Sequence, residues 1–132
     1  MPAEPFQYAV VRVVPCVERE EFVNAGVILF CRTRDFLAMR SQLDQARLDR
    51  LAPGPPLDTI REHLHALEQV AAGHPQAGPI ARLPASERFH WLVAPSSTVI
   101  QTSPVHTGLS EAPEAALDHL MERLVRGAST AR

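Results

Sequence analysis

Glu21-Phe22-Val23-Asn24-Ala25-Gly26-Val27-Ile28-Leu29-Phe30 is the longest predominantly apolar run in the chain. Acidic residues precede it and Arg32-Thr33-Arg34-Asp35 follows it. It therefore reads as a central strand buried on both faces. Two residues do not suit a plain core strand. Side chains alternate along a strand, so Asn24 and Gly26 are expected on one face, a buried amide beside a position with no side chain. That pairing would let a ligand or another backbone approach Asn24. It equally fits a bulge or a capped neighbouring loop, and this structural reading is favoured because a buried Asn usually satisfies nearby backbone groups. The stretch says more about how the chain is built than about what it does.

Outward from this strand, Phe6 to Val14 is β-branched and aromatic, with Tyr8, Val10 and Arg12 on one face and Ala9, Val11 and Val13 on the other. Pro15 is expected to end that strand. Cys16 to Glu20 is too short for a parallel crossover, so the two strands form an antiparallel hairpin. Arg32 to Asp35 makes a second turn and Phe36 to Arg40 a third strand. Ser41, with Asp44 three residues on, is expected to cap a short helix carrying Leu43, Leu48 and Leu51. Pro53-Gly54-Pro55-Pro56 breaks the chain. Ile60, Leu64, Leu67, Val70 and Ala71 then follow helical period behind a cap at Asp58 or Thr59, and Gly73 and Pro75 stop the helix. Residues 73–87 read as an irregular connection.

Arg88 to Ala94 and Thr98 to Thr102 have strand character across a Pro/Ser turn, which predicts a second hairpin. Pro104 to Gly108 is a loop or edge segment. Pro113 opens a last helix with Leu117, Leu120, Met121, Leu124 and Val125 on one stripe and Gly127 as its stop. The expected fold is a single α+β domain over 1–132, frayed at 1–5 and 128–132. It has a mainly antiparallel sheet of about five strands from two hairpins, with two to three helices packed on it.

Composition supports this class. The chain has 132 residues, 45% hydrophobic and 21% charged, enough to bury about two-thirds of its extended surface in one core. All 13 basic residues are Arg, and a net charge of -2 gives no global pull toward nucleic acid or anionic membrane. No secretory leader or apolar run of membrane length is seen, so a cytoplasmic protein is expected. Cys16 and Cys31 flank the central strand about 30 Å apart, too far for a disulfide, which predicts two free thiols.

Six His invite a metal reading. His63 and His65 diverge by about 200° around their helix, and no Cys pair or H-E-x-x-H accompanies His90 and His106, so neither metal nor cofactor is expected. Ser96, Ser97 and Thr98 near His106 lack a nucleophile elbow and an orienting Asp, and phosphate-binding glycine patterns are missing. Cys16 beside Arg19 reads as a small strand-end residue before it reads as a reactive thiol. The polar set of interest is Arg12, Glu21, Asn24 and Arg88. Arg12 and Glu21 are expected to form an ion pair at the hairpin end. A planar Arg fork also suits phosphate or carboxylate, and Arg88 with Arg12, Arg32 and Arg34 could line one face.

Arg12-x-x-Pro15, Glu21-Phe22-Val23-Asn24-x-Gly26-Val27-x-Leu29, Arg88-Phe89 and Val105-His106-x-Gly108 together resemble the bacterial domain-of-unknown-function family numbered 3037, from Tyr8 to the last helix. The chain departs from it at Cys16-Val17-Glu18, where an acidic, Pro-containing turn is expected. The resemblance implies a small cytoplasmic protein of no established activity. It also implies a relationship with a HipA-like kinase encoded nearby, within a toxin-antitoxin-like or stress module. The leading reading is a non-catalytic binding or accessory protein acting with a protein partner. The second is a small enzyme or phosphate-ligand binder using Arg12, Asn24, Arg88 and His106, with Glu21 and Gly26 beside them. Nucleic-acid binding through Arg12, Arg32, Arg34 and Arg40 is a third, and it would weaken steeply with salt.

Overall fold

The computed structural model describes residues 2–52, 56–95 and 99–127. In chain order the strands and α-helices are β1 (Glu4–Cys16), β2 (Glu21–Cys31), β3 (Phe36–Ser41), α1 (Gln45–Leu51), α2 (Leu57–Ala72), α3 (Ala85–Leu92), β4 (Ile100–Thr102), β5 (His106–Ser110) and α4 (Pro113–Leu120). The sheet is antiparallel in the order β3-β2-β1-β4, and β5 also pairs with β1. This is the expected α+β architecture, with four α-helices rather than two or three. No described helix is long and apolar enough to cross a membrane.

The three-strand meander follows the sequence reading, with β2 in the interior. Each connection is one 3₁₀ turn, Val17–Arg19 or Arg32–Arg34, closed by an acidic residue in the left-handed region, Glu20 at φ 57° and Asp35 at φ 50°. Pro15 does not end β1. The ladder shifts between Val13 and Cys16, so the proline sits in an irregularity where no ladder donor is required. Glu4 and Pro5, expected to fray, pair with Ser110 and Leu109.

Helices cover both faces of the sheet. Val11, Val13, Val23, Ala25, Ile28 and Phe30 pack with Leu48 of α1, Ile60 and Leu64 of α2, and Phe89 and Leu92 of α3. Phe6, Val27, Leu29 and Cys31 pack on the other side with Leu117, Leu120, Met121 and Val125. Beyond α4 the chain continues as a π-helical turn, Met121–Arg126. That continuation keeps the predicted stripe on the sheet.

Two local expectations are corrected. Asp44, not Ser41, caps α1, its carboxylate accepting from the Arg47 amide at 3.1 Å. Ser41 stays in β3 because its hydroxyl is engaged by Glu68 of α2. The second helix starts at Leu57 with no side-chain cap, and Asp58 lies within its first turn, where a negative charge suits the macrodipole. Its end is as expected: the Gly73 amide donates to Val70 O and His74 to Gln69 O, a Schellman closure. Residues 75–77 and 80–82 are single 3₁₀ turns within the predicted irregular connection.

The largest correction is the second hairpin. Residues 85–92 are helical, because Phe89 and Leu92, three apart, bury one helix face and outweigh the β preference of Phe, Trp and Val. Strands four and five come instead from residues 100–110, both laid against β1. Ser103 joins them: its amide donates to Val10 O at 2.8 Å, and its buried hydroxyl accepts from the Val10 amide at 2.9 Å. The expected break at residues 53–55, the hydroxyls Ser96 to Thr98, and the tail 128–132 lie outside the described residues.

Candidate functional site

The organising strand contains a bulge. Val11 pairs with Gly26 but Arg12 pairs with Asn24, so Ala25 is the extra residue. It breaks the alternation, and Val23 and Ala25 face the same core as Ile28 and Phe30. Asn24 and Gly26 therefore do not share a face. Asn24 turns toward the end of the last helix, where its Nδ2 donates to Leu124 O at 3.0 Å, one of the carbonyls a helix end leaves without an internal partner. Gly26 serves a close backbone approach, since any Cβ there would stand 2.6 Å from Arg40 O.

Arg12 and Asn24 face each other across the ladder, and the Arg12 guanidinium lies over the half-exposed Phe22 ring, 4.1 Å from its centroid. Such a cation–π contact contributes about 0.5–1 kcal/mol. Arg12 Nε and Asn24 Oδ1, a donor and an acceptor, are both buried with no partner among the described residues. Each such atom costs about 1–3 kcal/mol, so polar cost is concentrated at this corner of the sheet.

Beside it, Phe22, Val23, Asn24, Arg47, Arg50 and Leu51 line a cleft of about 460 Å³. Arg47, Arg50 and Leu51 come from one face of α1, three and four residues apart. Arg47 is fixed, its Nε 3.4 Å from Asp44 and one terminal nitrogen donating to Val125 O at 3.4 Å. Arg50 is exposed and makes no ion pair with the described residues. The lining joins an apolar floor to two cations and no carboxylate, a combination suited to an anion with an apolar or planar body. Phe22 also walls a second cleft of about 330 Å³, shared with Arg12, Val14, Val17, Glu20 and Gln101.

The remaining candidates go elsewhere. Glu21 pairs with Arg19 at 3.0 Å instead of Arg12: the ladder sets it opposite Cys16, four residues along β1 from Arg12. Arg88 lies on α3 and donates to Leu83 O at 2.7 Å and Ala71 O at 3.3 Å, holding the end of α2; its Nε is buried with no partner among the described residues. His106 is exposed on β5, its ring tilted against Tyr8 at 5.3 Å between centroids, about 13 Å along the strand from Arg12. Arg34 donates to the carbonyls of Pro2 and Glu111, and Arg40 binds acidic residues of α4, so the proposed arginine face is dispersed. The structure thus brings Arg12 and Asn24 together and leaves Arg88 and His106 apart from them. Both cysteines are free; the Cys16 thiol donates to Glu18 and, with the Glu18 backbone, holds that carboxyl below its ordinary range. Among the described residues no three His, Cys, Asp or Glu are grouped as metal ligands.

Trp91 has no place in the sequence-derived set. It is 46% exposed on the outer face of α3, between apolar grooves of about 310 and 380 Å³ that share His63 and Leu67. The available signal was the spacing of Phe89 and Leu92: read as a helix, it turns the indole outward.

A family model described as "Protein of unknown function (DUF3037)" matches residues 8–125. No curated protein and no solved structure matches the chain.

Proposed function

The chain belongs to the DUF3037 family, and we propose that it is a non-catalytic binding or accessory protein that acts with a protein partner. The observation that carries this reading is Trp91, an exposed indole flanked on both sides by apolar grooves. A large aromatic with pockets around it is the residue type that dominates interface energetics. The partner class implied by the family resemblance is a HipA-like kinase. The compartment is the cytoplasm, a setting that two unpaired thiols suit.

Size exclusion of the chain with such a kinase at micromolar concentration tests the reading. One stable complex is expected, and Trp91→Ala should weaken it by about 2 kcal/mol, roughly thirtyfold. Two well-folded proteins that elute separately would refute it.

A second reading is favoured by the cleft at Phe22. It is a binder of small anionic ligands that replaces the Arg12, Asn24, Arg88 and His106 set with Arg47 and Arg50 opposite Phe22 and Asn24. Calorimetric titration with phosphate and with mononucleotides tests it. Binding that Arg50→Ala removes without changing the thermal midpoint supports this reading, and no heat with any of these anions dismisses it.

A further inference from the structure

Phe89 to Ser110 contains no Asp, Glu, Lys or Arg, the longest such run in a chain that is 21% charged. The fold lays its second half along the sheet border as β4, Ser103 and β5. Val99, Val105 and Leu109, half of the exposed large hydrophobics among the described residues, fall on this border, and Leu109 is 72% exposed. β5 pairs with β1 on one side, and no other described strand lies on its outer side. A strand in that position offers unpaired amides and carbonyls to any other strand, and proteins usually guard such edges with charge, proline, bulges or a covering element. The only proline here is Pro104, in the jog before β5, while His106–Ser110 has neither proline nor charge.

We propose that β5 pairs antiparallel with β5 of a second copy of this chain, across a twofold axis near Gly108, making one sheet continuous through two protomers. The choice of occupant rests on charge. A twofold contact sets each residue against the same surface on the other copy, so a charged edge repels itself. This edge has nothing to repel, and it offers no countercharge to a partner segment that carries one. In the register β5 keeps with β1, Leu109 and Thr107 share the face of Pro5 and Gln7. Pairing about Gly108 sets Leu109 against Thr107 of the partner subunit and takes both leucines out of water. The inference goes beyond the Trp91 reading and does not depend on it.

Sedimentation analysis of the full chain over a rising concentration series tests it. The mass should climb from 14.5 kDa toward twice that value as concentration reaches the high micromolar range. Leu109→Arg places like charges about the axis and should weaken the dimer at least about tenfold, with an unchanged melting curve because Leu109 is mostly exposed. Trp91→Ala should leave the dimer intact. Amide exchange at residues 105–110 should slow as concentration rises. A monomer at every concentration, a dimer indifferent to Leu109→Arg, or concentration-dependent protection confined to other segments would each overturn the proposal.

Discussion

The two borders of the sheet are built in opposite ways. On β3, Arg40 is gripped by Asp118 and Glu114 of α4, and Ser41 is engaged by Glu68 of α2. The strand is thereby braced from both helical layers. On β5, His106, Thr107 and Leu109 face solvent, and the ladder of this strand runs inward to β1. One border ends the sheet by charge and cover, while the other ends it by composition alone. The comparison teaches that this chain places its charge where the sheet must stop.

Four substitutions probe that contrast. Gly26→Val should do most damage, because the new side chain meets the backbone carbonyl of Arg40, which cannot step aside without parting β2 from β3. A loss of about 3 kcal/mol or more is expected in urea unfolding. Gly108→Ala tests the opposite border, where a Cβ would come within 2.5 Å of the Phe6 ring. A ring can shift, so a smaller loss of about 1–3 kcal/mol is expected by the same measurement. Equal losses for the two would erase the distinction. Arg40→Ala removes both ion pairs of the β3 border; with the side chains a third or more exposed, the cost should be at most about 1 kcal/mol and should shrink in high salt. Leu109→Arg should change monomer stability by no more than about 0.5 kcal/mol. A large loss would mean that β5 is already packed inside the protomer.

Much of the first half was legible because its signals agree. β-branched residues, short polar connections and a run too apolar for a surface all specify one meander. The last helix was legible for the same reason, with Pro113, the stripe from Leu117 to Val125 and Gly127 pointing to one element. Reading failed where two local preferences compete. Phe89 to Val93 prefers strand by composition and helix by spacing, and packing against Phe30 and the second helix decided it. The candidate site failed for a different reason. Arg12 and Glu21 both lie toward the hairpin end, but the ladder sets Arg12 opposite Asn24 and Glu21 opposite Cys16, and the Ala25 bulge turns Asn24 away from Gly26. A single inserted residue is invisible in a pattern of period two, and it redirects every side chain beyond it.

The clasp around residues 124–126 has a temporal consequence. Asn24 holds Leu124, Arg47 holds Val125 and Gln42 holds Arg126, so groups made early in synthesis wait for carbonyls and a guanidinium made 78 to 100 residues later. The meander can zip up on the ribosome, yet Val27, Leu29 and Cys31 keep one side bare until residues 113–126 have cleared the exit tunnel. A nascent chain stalled before that point should be soft to protease, and release of the last helix should harden the whole sheet in a single step.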